Sequence, residues 1–419
     1  MSHGILFWAK LMSISAIKLC DILNELNQVY LVEYKRCAFS RARPNDPERD
    51  VFNSIRMDEV LGMLIKELVN SSSVRTEEIN DVITGCAFQT GENWLYGGRH
   101  PVFLAGLPFN VPSMSLDRAC SSSLNAIAIG AMEIMTGKSD IAIAGGMEHM
   151  THIPMANNPN LKPNMKLMLR PEYAKYNMST AYNMGLTAEK LAGLRGISRK
   201  EMDEFSVESH RKSSESLERG FFKDEILPVT VEINGEEKVI DTDQSIRKDT
   251  TMEALSKLPP SFKSDGVITA GNSSPLNDGA SAVMIMSERK MNEYGLKPLA
   301  RIRGFAWAAV DPSIMGEGPV PATQKLLVQE KLSVDDIGVW EINEAFAVVV
   351  LNAIKELDID SSRVNLHGGA VSIGHPLGAS GARLAGTLSR IMNEKQKDLG
   401  VATLCVGGGQ GYSMLLERV

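Results

Sequence analysis

The feature that most restricts how this chain can fold is a long-range internal echo. Around Cys120 it reads CSSSLNAIAIGAMEIMTGKSDIAIAGGMEHM, and near its end GASGARLAGTLSRIMNEKQKDLGVATLCVGGGQG. In each stretch small and apolar residues at helical spacing lead through a glycine turn (Gly137, Gly400) into an apolar strand, Ile141–Ala144 or Val401–Val406, closed by glycines. The Cys120-to-Gly145 and Ala379-to-Gly407 separations are 25 and 28 residues. This reads as a structural duplication, two α/β halves that each feed a buried helix into a central strand. Apart from Glu133, Ser121–Met135 has no wide polar face, which predicts a helix buried between layers.

Elsewhere strand and helix patterns alternate, as in an α/β fold with mixed sheets. Val29–Val32 reads as a short strand, Met57–Leu68 as an amphipathic helix and Asp81–Gly85 as a strand ending in glycine. Gly338–Glu341 is another strand, before a helix expected from Asn343. The stretch from Thr151 to Ala270 is richer in charge, Pro, Asn and Met, with helical pieces at Thr187–Leu194 and Arg199–Leu217. A long insertion between core elements is often a substrate cover, and this one reads as a loop domain.

Composition narrows the function classes. A net charge of −7 argues against sequence-independent nucleic-acid binding, which needs cations to neutralise phosphates. No apolar run reaches the ~18–20 residues of a membrane span. The first 27 residues are apolar but interrupted by Lys10, Lys18, Asp21 and Glu25, and lack the arginines of a transit peptide. They read as a short extra helix or the product of an upstream start. The five cysteines form no CxxC pair, which excludes a zinc ribbon or thioredoxin-like motif. With no secretory signal, they suggest a reducing, cytoplasmic location. Cys20, Cys37 and Cys86 read as inert buried hydrophobes.

Four segments carry chemistry. In SLDRACSSSLNAI, Cys120 stands where a loop meets a helix start; the orphan N–H groups there would lower a thiol pKa and make a nucleophile. The competing reading is a small residue needed for close helix packing. In GGAVSIGHPLGASGAR, His375 lies on a loop between Gly374 and Pro376, as a positioned base or a hydrogen-bonded structural histidine. In ATLCVGGGQG, Cys405 ends a strand and the glycines at 407 to 409 can aim N–H groups at an oxyanion. A Walker loop is excluded, because no Lys-Ser/Thr follows, and GGGQG is not the dinucleotide fingerprint. In EINEAF, Asn343 is a site residue or a plain helix N-cap.

Taken together, CSSS, NEAF, GHPLGASGAR and CVGGGQG resemble the thiolase family in order and spacing. GGMEHM, TAGNSSPLNDGA and GPVPAT extend the resemblance to nearly the whole chain from Gln28. HMTHIPM, MGLTAE, GISRKEMDEF and DPSIMGEGPVPA are most similar to the bacterial type that serves fatty-acid β-oxidation. The resemblance implies a five-layered α-β-α-β-α core of two halves with an inserted loop domain. The expected divisions are an extension at 1–27, an N-terminal domain at 28–152 plus 271–298, a loop domain at 153–270 and a C-terminal domain at 299–419.

It also implies roles. Cys120 is similar to the acylated nucleophile, His375 to its base, and Cys405 to the cysteine that moves a proton at the α-carbon of acetyl-CoA. Asn343 resembles the residue holding a water that forms one oxyanion hole with His375; the N–H groups of Cys120 and Gly407 would form the other. Ser274 and Met184 match positions lining the CoA and acyl pocket. The chemistry needs no metal or organic cofactor, because two thiols and an imidazole supply nucleophile, acid and base, with CoA as substrate and ping-pong kinetics. CoA thioesters, a homodimer or homotetramer, and a hydratase/dehydrogenase subunit are the partners implied. An acetoacetyl-CoA thiolase condensing two acetyl-CoA molecules is the alternative. A ketoacyl synthase would lack Cys405, and a non-catalytic CoA-binding subunit would have lost catalytic positions that are all present. The chain departs from the family pattern at Arg36-Cys37-Ala38, in the charged segment from Arg41 to Asp50, and at Ser122, where relatives often have Gly.

Overall fold

The computed structural model describes residues 26–156 and 158–419; the extra helix considered for the first residues lies outside them. Nine strands form one continuous sheet: β1 (Val29–Arg36), β2 (Asp81–Gly85), β3 (Ser113–Leu116), β4 (Ile141–Glu148), β7 (Gly279–Ser287), β8 (Ala300–Ala309), β9 (Val339–Ile342), β10 (Leu399–Val406) and β11 (Gln410–Glu417), in the order β3-β2-β4-β7-β1-β8-β11-β10-β9. The inserted region carries a separate hairpin, β5 (Val229–Ile233) and β6 (Glu236–Ile240).

The echo is visible in this order. From the centre outward, β1, β7, β4 and β2 are matched by β8, β11, β10 and β9. In both halves the first three are antiparallel to one another and the last pair is parallel. Even β3 has a counterpart, the parallel bridge between Trp340 and Val364. The halves join where Val29–Leu31 pair with Ala300–Ile302.

The two echoed stretches become the helices Ser122–Met135 and Leu377–Lys395, which pack on each other between the half-sheets. The helix Met57–Ser72 covers the outer face of the first half, and Pro319–Glu330 and Ala347–Leu357 cover the second, giving five layers. Small residues let the central helices meet closely: a Cβ on Gly381 would stand 2.3 Å from the backbone N of Leu124. One edge of Ser122–Met135 still reaches the surface, at Met132.

Two elements differ from the sequence reading, each because of a long-range contact. β1 runs on to Arg36, whose buried guanidinium is held by Asp243 at 2.7 Å and Glu225 at 2.8 Å; those partners lie about 200 residues away. The helix expected from Asn343 begins at Ala347, with Phe346 at its N-cap. The chain stays extended because Asn343 N donates to Thr403 O at 2.9 Å, Phe346 bridges Ser273, and Ala347 N donates to Asn272 O. Asn343 is therefore not a helix cap.

Candidate active site

Cys120 lies in a single 3₁₀ turn, Ala119–Ser121, ahead of the first central helix. The turn is strained: Ala119 has φ +43°, a left-handed conformation unusual for a residue with a Cβ. The serines hold it. Ser122 Oγ accepts from Arg118 N at 2.9 Å and donates to Ala119 O at 2.7 Å, so the hydroxyl that departs from the family pattern brackets the turn. Ser123 Oγ accepts from Ala382 N on the other central helix.

The Cys120 thiol is half-buried, with the Gly407 N–H close enough to favour its charged form. Its pKa is not lowered as the helix start suggested. Burial outweighs the N–H donors of Gly407 and of Cys120 itself and pushes it up to about 11. The reason is that Cys120 packs against an apolar cluster of Ala42, Ala87, Met150 and Leu377. Cys405, at the end of β10, is fully buried; its thiol is pushed up by burial and further by any charge on Cys120. Gly407 leaves room before Met184: a Cβ there would be 3.8 Å from both Met184 Sδ and Ala119 Cβ.

His375 follows Gly374, whose φ of +121° favours glycine and where a Cβ would strike the Asn277 side chain at 2.6 Å. Asn277 holds the loop: its Oδ1 accepts from His375 N at 2.8 Å, while its Nδ2 donates to Ser40 O at 2.6 Å. His375 Nδ1 lies 2.5 Å from Ser380 Oγ, and Ser380 donates its own proton to Pro376 O at 2.8 Å. The hydroxyl proton is thus committed, so Nδ1 carries the imidazole proton and Nε2 keeps the lone pair. Asn343 Nδ2 lies 3.2 Å from that Nε2, and Asn343 Oδ1 is buried without a partner among the described residues. Burial, then the Arg383 charge, lowers the His375 pKa to about 3. A neutral imidazole and a protonated thiol can move a proton at the moment of attack, without a resting ion pair.

The structure thus joins Asn343 to His375 and Cys120 to Gly407, with Met184 against Gly407. No hydrogen bond links Cys120 Sγ to His375 among the described residues. Ser274 is half-buried and reaches the NEAF segment through its backbone, donating to Ala345 O at 3.0 Å. Three residues with supporting roles were missed from sequence. Ser380 and Asn277 orient His375. Glu148 accepts from Ala87 N, Phe88 N and Gly378 N, tying the loop beside Cys120 to the start of the second central helix. Only Glu148 left a signal, as the acidic residue that closes the apolar strand run IAIAGGM. Ser380→Ala is expected to lower kcat roughly tenfold, the value of one hydrogen bond of about 1–1.5 kcal/mol, with KM little changed. Ser380→Thr should restore activity, and the ring ¹⁵N shifts should report loss of the Nδ1–H tautomer in the alanine variant.

The chain matches two family descriptions, "Thiolase, N-terminal domain" over residues 29–289 and "Thiolase, C-terminal domain" over residues 296–418. It is 43% identical over 397 residues to a 3-ketoacyl-CoA thiolase of Saccharophagus degradans, covering 93% of this chain and 98% of that one. It is 42% identical over 399 residues to a 3-ketoacyl-CoA thiolase of Vibrio vulnificus, covering 94% and 100%. Among solved structures, human mitochondrial 3-ketoacyl-CoA thiolase superposes with a TM-score of 0.84 at 32% identity. The Bacillus anthracis acetyl-CoA acetyltransferase does so at 0.83 and 34%; each alignment covers 94% of this chain and 100% of the other.

Proposed function

This chain belongs to the thiolase family and is an acyltransferase, and from that premise we propose that it cleaves 3-ketoacyl-CoA with free CoA, giving acetyl-CoA and a shortened acyl-CoA. What supports the reading is that the Cys120 thiol has the Gly407 N–H and the Cys405 thiol as neighbours, while Asn343 Nδ2 stands 3.2 Å from His375 Nε2. His375 takes the Cys120 proton as sulfur attacks the keto carbon. The oxyanion formed is met by the N–H groups of Cys120 and Gly407. The C2–C3 bond then breaks, its electron pair passing to the enolate of acetyl-CoA. That enolate is stabilised by His375 and a water on Asn343, and Cys405 protonates its carbon. CoA attacks the Cys120 thioester in the second half-reaction and releases the acyl product. Ser274 and Met184 contact the CoA arm and acyl group, and residues 153–270 cover them.

The names of the relatives, together with the apolar wall at Cys120, favour chains longer than acetoacetyl and a place in fatty-acid β-oxidation. The acetyltransferase named among the structural neighbours supports the second reading, an acetoacetyl-CoA thiolase. Thiolysis of acetoacetyl-CoA and of a 3-ketoacyl-CoA of about sixteen carbons separates them: turnover of both is expected, and turnover of acetoacetyl-CoA alone favours the second. Both substrates failing with folded protein would count against the whole reading.

Assembly follows from an exposed edge. β3 ends the sheet, and Trp94, Tyr96, Phe103 and Phe109 beside it are each more than half exposed. An uncovered edge strand with an apolar surround supports a homodimer. No described helix is long and apolar enough to cross a membrane. The four described cysteines are free thiols, which supports a reducing compartment, the cytoplasm in this reading.

A further inference from the structure

Beside the catalytic pocket, the turn Gly91–Asn93 meets the segment that follows β4 in a group of metal-type ligands. One carboxylate oxygen of Glu92 and one ring nitrogen each of His149 and His152 lie within 4.8 Å of one another. Glu92 Oε1 is 2.6 Å from His152 Nδ1 and 3.9 Å from His149 Nε2. The remaining ring nitrogens both face oxygens: His152 Nε2 is 3.0 Å from Asn53 Oδ1, and His149 Nδ1 is 3.4 Å from Asp278 Oδ1. Metal-binding histidines are oriented in this way, with the outer nitrogen held by an oxygen acceptor and the inner one aimed at the ion.

We propose that Glu92, His149 and His152 form a binding site for a divalent transition-metal ion of the zinc type, with its fourth position open to solvent. Two imidazoles and one carboxylate suit zinc, cobalt or nickel better than magnesium or calcium, which prefer all-oxygen sites. Zinc bonds of about 2.0–2.1 Å in a tetrahedron space the ligands roughly 3.3 Å apart. Glu92 and His152 therefore separate slightly on binding and His149 closes in. The imidazoles stack at 3.8 Å and 12° and must turn so that the ion lies in both ring planes. His152, with a quarter of its side chain exposed, is the one free to turn. The ion replaces the 2.6 Å contact between Glu92 Oε1 and His152 Nδ1 and the long one from His149 Nε2 to Phe52 O at 3.4 Å, and leaves the 3.4 Å contact of the His152 N–H with His149 Nδ1 in place. A second grouping, Asp50, His149 and Asp278, is wholly buried and held by Thr151, whose N–H donates to Asp278 and whose hydroxyl lies 2.6 Å from Asp50 Oδ2, which leaves the Glu92 side as the one an ion can enter. The two histidines flank Met150, which packs with Cys120, so a bound ion would clamp one wall of the catalytic pocket to the Gly91–Asn93 turn.

The test is calorimetric titration of the EDTA-treated full chain with Zn²⁺, after Cys120 has been alkylated to remove thiol binding. One equivalent is expected to bind. Glu92→Gln and His152→Gln should each weaken binding at least tenfold, while unfolding at the wild-type temperature without zinc. Absence of binding to the alkylated protein, or equal affinity in both variants, would overturn the proposal. Thiolysis measured without zinc reports separately on the enzymatic reading.

Discussion

Cys120→Ala is expected to abolish acyl transfer, lowering thiolysis by on the order of 10⁴-fold or more, because the thioester forms on Cys120 and the neighbouring Cys405 is fully buried. The measurement is release of acyl-CoA, paired with mass spectrometry of protein incubated with acetyl-CoA: wild type should carry an acetyl adduct and the variant none. Fold should survive, since the sulfur contributes only part of one apolar wall. Wild-type turnover by the variant would end the reading. The same thiol makes a pH prediction. Burial holds it up to about 11 and holds His375 down to about 3, so at neutral pH the resting pair is thiol and neutral imidazole. Raising the pH populates thiolate, so alkylation of Cys120 by iodoacetamide should accelerate about tenfold per pH unit between 7 and 10. A rate already flat at pH 7 would instead mean a preformed thiolate–imidazolium pair.

Cys405→Ala is expected to separate the two halves of the reaction. Acetylation of Cys120 by acetyl-CoA should persist within about tenfold, because it needs only the nucleophile, His375 and the oxyanion donors. Carbon–carbon cleavage should fall about 10²–10⁴-fold, the usual range for loss of a positioned acid or base. Exchange of the α-protons of acetyl-CoA with solvent should fall in parallel, which distinguishes lost proton transfer from a distorted pocket. Fully buried Cys405 makes that distinction necessary; loss of the acetyl adduct as well would mean that the thiol acts through packing.

Much of the fold was legible because its cause is local or periodic. The small-residue helices and their glycine-closed strands stand in the chain as a repeat, and a helix without a polar face has nowhere to go but between layers. Asp81–Gly85 was read to the residue, because its pattern and its ending glycine agree. Cys120, His375, Cys405 and Asn343 announced themselves through unusual neighbours: serines, Gly-Pro flanks and a glycine run.

Where the reading stopped, the cause lay across the chain. Arg36 extends β1 only because Asp243 and Glu225 arrive from the insertion to neutralise it. Asn343 stays out of a helix because Thr403 O takes its N–H while Ser273 and Asn272 hold Phe346 and Ala347. The sign of the Cys120 shift was wrong from sequence for a related reason. A helix start is local and visible, whereas desolvation depends on the apolar cluster that Ala42, Ala87, Met150 and Leu377 bring together from four separate segments and against which Cys120 packs. The tautomer of His375 likewise rests on Ser380, five residues on, whose hydroxyl has meaning only once the turn at Pro376 folds it back beneath the ring. The sequence by itself therefore determined the duplicated layers and which residue types could do chemistry, because periodicity and residue identity are local. The tertiary structure alone decided protonation, orientation and partnership, because these depend on which distant groups exclude water and which supply the last hydrogen bond.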